Sequence, residues 1–288
     1  MAFASLSLGT RLEAGRSNPA LVAGLALLGL VILAALVGPW LINPEDARVG
    51  AFAPSRPPSA AHIFGTDTQG RDVLAVLVLA NPETLKVGFI AGTVGLGIGT
   101  LLGLASGYFG GITDAVIRTT ADVLTTIPGV AMLVLVATFI KTMTVGLMAL
   151  VVASLAWIYP TRAIRAQTLS LRERAYIQVA RLNGVGGLEL VLREILPNLL
   201  PYTAASFVSA VSHAIIATIG LEALGLGPQN AFTLGMMIYW SQFYGAIVRG
   251  LWWWWGPPIL LILVIFVALL LTSAGLDRIV NTRIRSAA

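Results

Sequence analysis

Long uncharged runs alternate with short charged stretches along most of this chain. Residues 20–42 read ALVAGLALLGLVILAALVGPWLI and contain no charged side chain. About 20 apolar residues cross the hydrocarbon core of a bilayer, so this run predicts a first membrane-spanning helix. A cleaved leader has an apolar stretch of only about 7–15 residues, and the run is too long for one. Further apolar runs near 85–108, 123–139, 145–158, 202–219 and 251–271 predict five more spans. The expected fold is an all-α integral membrane protein of about six transmembrane helices.

The stretches between the runs have distinct characters. Residues 1–19 are a polar to mixed N-terminal segment, and 43–84 form a long loop with Pro54, Pro57 and Pro58. Proline removes a backbone donor and breaks helix interiors, so this part is not a regular helix. The loop continues as FGTDTQGRD at 64–72, where Asp67 and Asp72 can cap a following helix and Arg71 can pair with a carboxylate. In the second run Gly95, Gly99, Gly103 and Gly107 recur every four residues, a face on which another helix can approach closely. In the connection 109–120, Asp114 and Arg118 stand at i,i+4, the spacing of a helical ion pair. The segment 222–245 is mixed and glycine-rich, as a re-entrant or interfacial element would be. Trp252, Trp253, Trp254 and Trp255 open the last run and predict an aromatic anchor at the headgroup level. A tail at 276–288 follows.

Composition supports the membrane assignment. The chain is 57% hydrophobic and 11% charged, against about 25% charged residues in soluble domains. It has no cysteine, which excludes disulfides and thiolate metal sites. The sequence pI is near 10.0, but the basic residues sit between apolar runs, so their placement reads as topology rather than nucleic-acid binding. With the N-terminus inside and six spans alternating, twelve arginines fall on inside segments and six Lys or Arg on outside segments and span edges. That excess predicts cytoplasmic termini and a cytoplasmic loop at 159–198.

Little of the sequence reads as catalytic. No GxxxxGK[ST] phosphate loop is present, and GLGIGTLLG at 95–103 lies inside an apolar run with no strand before it. There is no HExxH. His62 and His213 are far apart, and His213 falls within the fifth run, where an ionisable group is a candidate for the substrate path. A neutral histidine bonded to a neighbouring helix fits the same position. Charges are otherwise nearly absent from the runs, which weighs against a stand-alone proton- or ion-coupled secondary transporter. The source of power is expected in another subunit. The place for it to attach is 172–201, RERAYIQVARLNGVGGLELVLREILPNLLP, the most polar stretch between spans.

At this loop the chain resembles the permease subunits of bacterial ABC importers. Their cytoplasmic signature is EAA, three residues, Gly, about ten residues and an Ile-Leu-Pro ending. Matching positions here are Gln178, Val179, Ala180, Gly184, Ile195, Leu196 and Pro197, with Gln in place of Glu and Val in place of the first Ala. FGTDTQGRDVLA (64–75), GYFGGITDAVIRTTADVLTTIPG (107–129), LEALGLGPQNAFTLGMMI (221–238) and LDRIVNTRIR (276–285) resemble the dipeptide, oligopeptide and nickel permeases, in particular the second of their two paired permeases. The resemblance runs from about 20 to 285. It implies a type I importer permease fold with its transmembrane core at 85–275, in the cell membrane. It implies four kinds of partner: a second homologous permease, two ATPase subunits carrying ATP and Mg, an extracytoplasmic substrate-binding protein, and membrane lipid. This chain would bind no cofactor or nucleic acid and catalyse no reaction itself. A helix at about 176–188 would couple to an ATPase through Arg174, Tyr176, Gln178, Val179, Ala180, Gly184 and Leu188, with Ala180 and Gly184 together on one face. Peptides are the expected cargo. Oligosaccharides, nickel chelates and haem are the alternatives within the same machinery.

Overall fold

A computed structural model describes residues 18–286, with side chains to Ile279. Most of the expected segment 1–19 therefore lies outside the described residues, as do the side chains of Arg283 and Arg285 in the expected tail. Among the described residues eleven α-helices follow one another: α1 (Pro19–Leu41), α2 (Val73–Phe109), α3 (Gly111–Thr126), α4 (Gly129–Thr138), α5 (Val145–Ala156), α6 (Ile158–Arg172), α7 (Ala175–Leu182), α8 (Gly187–Leu190), α9 (Leu196–Ala223), α10 (Leu234–Phe243) and α11 (Trp252–Ser286). A wide π turn, Val191–Ile195, joins α8 to α9. Among the described residues the only β pairing is an isolated bridge between Thr66 and Asp72.

Among the described residues four stretches are each long and apolar enough to cross a membrane: Pro19–Leu41, Val73–Phe109, Gly187–Ala223 and Trp252–Ile279. The expected third and fourth spans are instead bent pairs. α3 and α4 meet at 86°, α5 and α6 at 41°. Both breaks have a proline cause. Ile127 precedes Pro128 and is extended, at φ −91° and ψ 131°, the conformation that a following proline imposes. Pro160 lacks the N–H that would bond the Ala156 carbonyl, which loosens the ladder where α5 gives way to α6. The second span begins at Val73 rather than 85, so the expected loop 43–84 ends in helix. The segment 222–245 contains one short buried helix, α10, held at its start by the Thr233 hydroxyl, which caps Met236 N–H.

The chain divides into two compact units, Met1–Leu85 with Glu222–Ala288, and Lys86–Leu221. In the first, α1 lies against α11. Asn18 donates to the Gly275 carbonyl at 2.8 Å, and a Cβ on Gly24 would stand 2.5 Å from the Thr272 nitrogen. The loop before α2 is ordered by its acids. Asp72 caps α2 by accepting from Ala75 N–H and also meets His62 Nδ1 at 2.8 Å. Asp67 turns back on its own loop, accepting from Gln69 N–H, Arg71 N–H and Arg71 Nε. The tryptophan run is shared between surface and interior: Trp252 is exposed, Trp254 is buried and stacks on Tyr244.

In the second unit the glycine row of α2 faces α5 and α6. Methyl groups built at Gly95, Gly99, Gly103 and Gly107 would collide with Ala156, Pro160, Ile164 and Thr168 respectively. Those partners also recur every four residues, so two i+4 ridges meet at backbone distance, as small residues allow.

Candidate functional site

The site is built on the turn after α6. Arg172 ends that helix and donates to the Tyr108 carbonyl at 3.1 Å. Arg174 is extended, and α7 starts from it. The eight residues of α7, AYIQVARL, are too few to be stable alone in water. Packing holds them. Ile177 is completely buried in a cluster with Leu104, Ile164, Val191, Ile195 and Leu199. Arg181 lies 5.9 Å over the Tyr108 ring.

α7 stops at Leu182 for a defined reason. Gly184 has φ +80°, in the left-handed region that only glycine enters without strain. Its N–H bonds the Arg181 carbonyl at 3.0 Å, and Val185 N–H bonds the Ala180 carbonyl at 3.2 Å. These are the two bonds of a Schellman cap. Ala180 and Gly184 are therefore not neighbours on one helix face. Ala180 lies in the last turn and Gly184 ends the helix. The expected single helix at 176–188 is two, and Leu188 sits on the separate turn α8, where it is exposed.

Of the residues expected to couple, Arg174, Tyr176, Val179, Gly184 and Leu188 are exposed, while Gln178 and Ala180 are partly covered. Gln178 turns inward, and its Nε2 donates to the Arg172 carbonyl at 3.2 Å. At the position where the related signature has Glu, this chain uses an amide to tie α7 to α6. The outward face is apolar: Tyr176 is 42% exposed, Val179 56% and Leu182 87%. Their spacing of three residues puts them on one side of the helix. Leu182 is not one of the matched signature positions. The spacing from Tyr176 through Val179 would have found it. Burial raises the Tyr176 phenol above its ordinary value, Glu194 adds to that, and Arg174 opposes it. The hydroxyl stays neutral at physiological pH and can donate a hydrogen bond.

His213 does not belong to this group. It lies exposed on α9, with its ring edge-to-face with Tyr159 at 5.8 Å. Asp114 does not pair with Arg118 as expected. It accepts from Arg165 Nε at 2.5 Å and Nη2 at 2.7 Å, and from the Ser106 hydroxyl. A two-pronged guanidinium contact across helices is stronger than a flexible i,i+4 pair on one helix. Glu222, which opens the mixed segment 222–245, is fully buried. Gly227 and Gly235 leave room for it, since a Cβ on Gly235 would lie 2.2 Å from Glu222 Oε2. Among the described residues no group of three or more His, Asp or Glu side chains could hold a metal ion.

Several helices long and apolar enough to cross a membrane define a multi-pass membrane protein. Residues 99–286 match the family described as binding-protein-dependent transport system inner membrane component. The chain is 31% identical over 215 residues to the oligopeptide transport system permease protein OppC of Haemophilus influenzae, covering 74% of this chain and 69% of that protein. It is 30% identical over 223 residues to the OppC of Mycobacterium bovis, 77% of each chain. It is 29% identical over 215 residues to the probable D,D-dipeptide transport system permease protein DdpC of Escherichia coli, 75% of this chain and 72% of that one. The chain belongs to the inner membrane component family. It is a permease subunit of the ABC importer type.

Proposed function

We propose that this chain forms half of the path by which peptides enter the cell, with a second homologous permease supplying the other half. Two ATPase subunits carry ATP and Mg, and an extracytoplasmic binding protein delivers the peptide. Both termini and the loop 159–198 face the cytoplasm. α7 is the coupling helix. Tyr176, Val179 and Leu182 seat in a groove of one ATPase, Arg174 and Leu188 flank them, and Gly184 fixes where the helix ends. His213 is a candidate for the substrate path. Closure of the ATPases around nucleotide moves α7, and the buried Ile177 passes that movement to α2, α6 and α9 through its cluster. A switch of this kind needs a rigid element biased between two states.

One observation carries the coupling part. α7 is anchored inward by a fully buried Ile177 while leaving three apolar side chains outside. An exposed apolar stripe on a firmly held helix fits a protein partner. The peptide part rests on the oligopeptide and D,D-dipeptide permeases to which the chain is similar.

The test is co-purification followed by reconstitution. The tagged chain should bring down ATPase subunits, and the reconstituted complex should import peptide only with ATP and the binding protein. Import by the chain reconstituted alone would overturn the reading in favour of a stand-alone secondary transporter.

A further inference from the structure

Between α8 and α9 the chain leaves the α-helical ladder for one turn. Leu196 N–H bonds the Val191 carbonyl, five residues back, and closes the π turn Val191–Ile195. Pro197 is the cause. It brings no N–H for the Arg193 carbonyl, and its ring would collide with that group in a regular α-helix. A wider turn takes the Arg193 carbonyl out of the way. Asn198 turns its side-chain amide back onto the neighbouring Glu194 carbonyl at 2.6 Å, a donor that does not depend on which ladder forms. Single π turns within helices are rare and concentrate at functional sites.

This turn lies where the proposed movement of α7 has to pass. Val191, Ile195 and Leu199 follow at four-residue intervals, are buried, and share one cluster with Ile177 of α7. The inner side of the turn is therefore packed on the anchor of α7. Its outer side is open, with Leu192 and Arg193 exposed. A turn packed on one side and open on the other has room to rewind about its packed side. Rewinding to α exchanges the Val191 carbonyl for the Leu192 carbonyl as acceptor of Leu196 N–H, so no hydrogen bond is lost. It shifts everything before the turn by one residue of register relative to α9. We infer that this turn is the joint at which movement of α7 becomes rotation of α9, and that Pro197 is the positioning residue that keeps the wide form available. A joint with two discrete arrangements is what a switch between two states requires. The inference rests on α7 being the coupling helix.

The test uses the intact importer complex in bilayer discs. The natural chain has no cysteine, so a spin-label pair can be placed at Gly186→Cys and Leu200→Cys, exposed positions on either side of the turn. A Cβ on Gly186 meets nothing within 4 Å. The distance between the labels should change when a non-hydrolysable ATP analogue is added. A second pair within α9, Leu200→Cys and Ile216→Cys, should keep its distance. Pro197→Ala supplies the missing N–H and removes the ring, so its turn should close to α and the first distance should be the same with and without nucleotide. That variant should still hydrolyse ATP, while peptide imported per ATP falls about 2- to 30-fold, equivalent to ~0.5–2 kcal/mol of coupling. A merely structural role would lower hydrolysis and import together. Wild-type import per ATP in Pro197→Ala would overturn the inference. An unchanged Gly186–Leu200 distance in a complex that retains its ATPase subunits and hydrolyses ATP would overturn it and leave the coupling helix standing. A complex without ATPase subunits would overturn the coupling reading and this inference with it. The label pair leaves Pro197 in place, so it decides the question where Pro197→Ala fails to assemble.

Discussion

Tyr176 and Ile177 are adjacent in sequence and face opposite ways: Ile177 is completely buried and Tyr176 is 42% exposed. The proposed relay through α7 uses that opposition. One side is part of the core, and the other is free for a partner. Replacing the inner residue and replacing the outer ones should fail differently. Ile177→Ala removes a fully buried branched side chain and should destabilise the packing of α7 on α6 and α9 by about 2–5 kcal/mol. The measurement is thermal unfolding of the complex. Val179→Glu should leave the unfolding temperature within a few degrees of wild type while ATP-driven uptake falls sharply. Equal thermal destabilisation by both would contradict the relay.

Gly184 is required by its backbone rather than by space. A Cβ there would meet nothing within 4 Å, but φ is +80°. Gly184→Ala should cost about 1–2 kcal/mol, the penalty for an L-residue in the left-handed region. Gly184→Asn should cost less, because asparagine tolerates this conformation. Uptake assays and unfolding temperatures should rank wild type above Asn and Asn above Ala, with Gly184→Trp weakest because its bulk would also intrude on the docking surface.

The glycine row predicts a second kind of failure. A Cβ on Gly103 would sit 2.8 Å from the Ile164 Cβ and from the Thr161 carbonyl oxygen. Gly103→Leu should force α2 away from α6 and lower the yield of assembled complex, measured by size-exclusion chromatography. Gly97→Leu, where a Cβ meets nothing within 4 Å, should assemble normally.

The Asp114–Arg165 clasp should be worth about 1.5–3 kcal/mol, the range for hydrogen bonds to charged groups. Asp114→Asn should lower the unfolding temperature, and the double change with Arg165→Gln should lower it by less than the sum of the two single changes. Strict additivity would show that the two groups do not interact.

Much of the architecture was legible in the sequence because bilayers demand long apolar runs. The run at 20–42 corresponds to α1 within a few residues, the run at 251–271 corresponds to the first part of α11, which continues through the expected tail to Ser286, and the four-residue glycine repeat did mark a helix-packing face. The bends were harder to read. Pro128 was visible, but a proline dictates only that Ile127 be extended, not that α3 and α4 meet at 86°. The choice of Arg165 over Arg118 by Asp114 is a contact 51 positions apart, which spacing along one helix cannot reveal. The docking face was half legible. Tyr176, Val179 and Leu188 are exposed, but Gln178 turned inward to the Arg172 carbonyl, and the role of Gly184 depends on a sign of φ that the sequence does not state. Glu222 shows the same limit, since its burial is created by Gly227 and Gly235 coming together around it.

The central claim is that the outer face of α7 docks on an ATPase. The natural chain has no cysteine, so single cysteines can be placed on it without background. Thiol cross-linking in the intact complex should join Val179→Cys and Leu182→Cys to an ATPase subunit, and Lys141→Cys should give no such adduct. An intact complex in which neither α7 position reaches an ATPase would contradict the account.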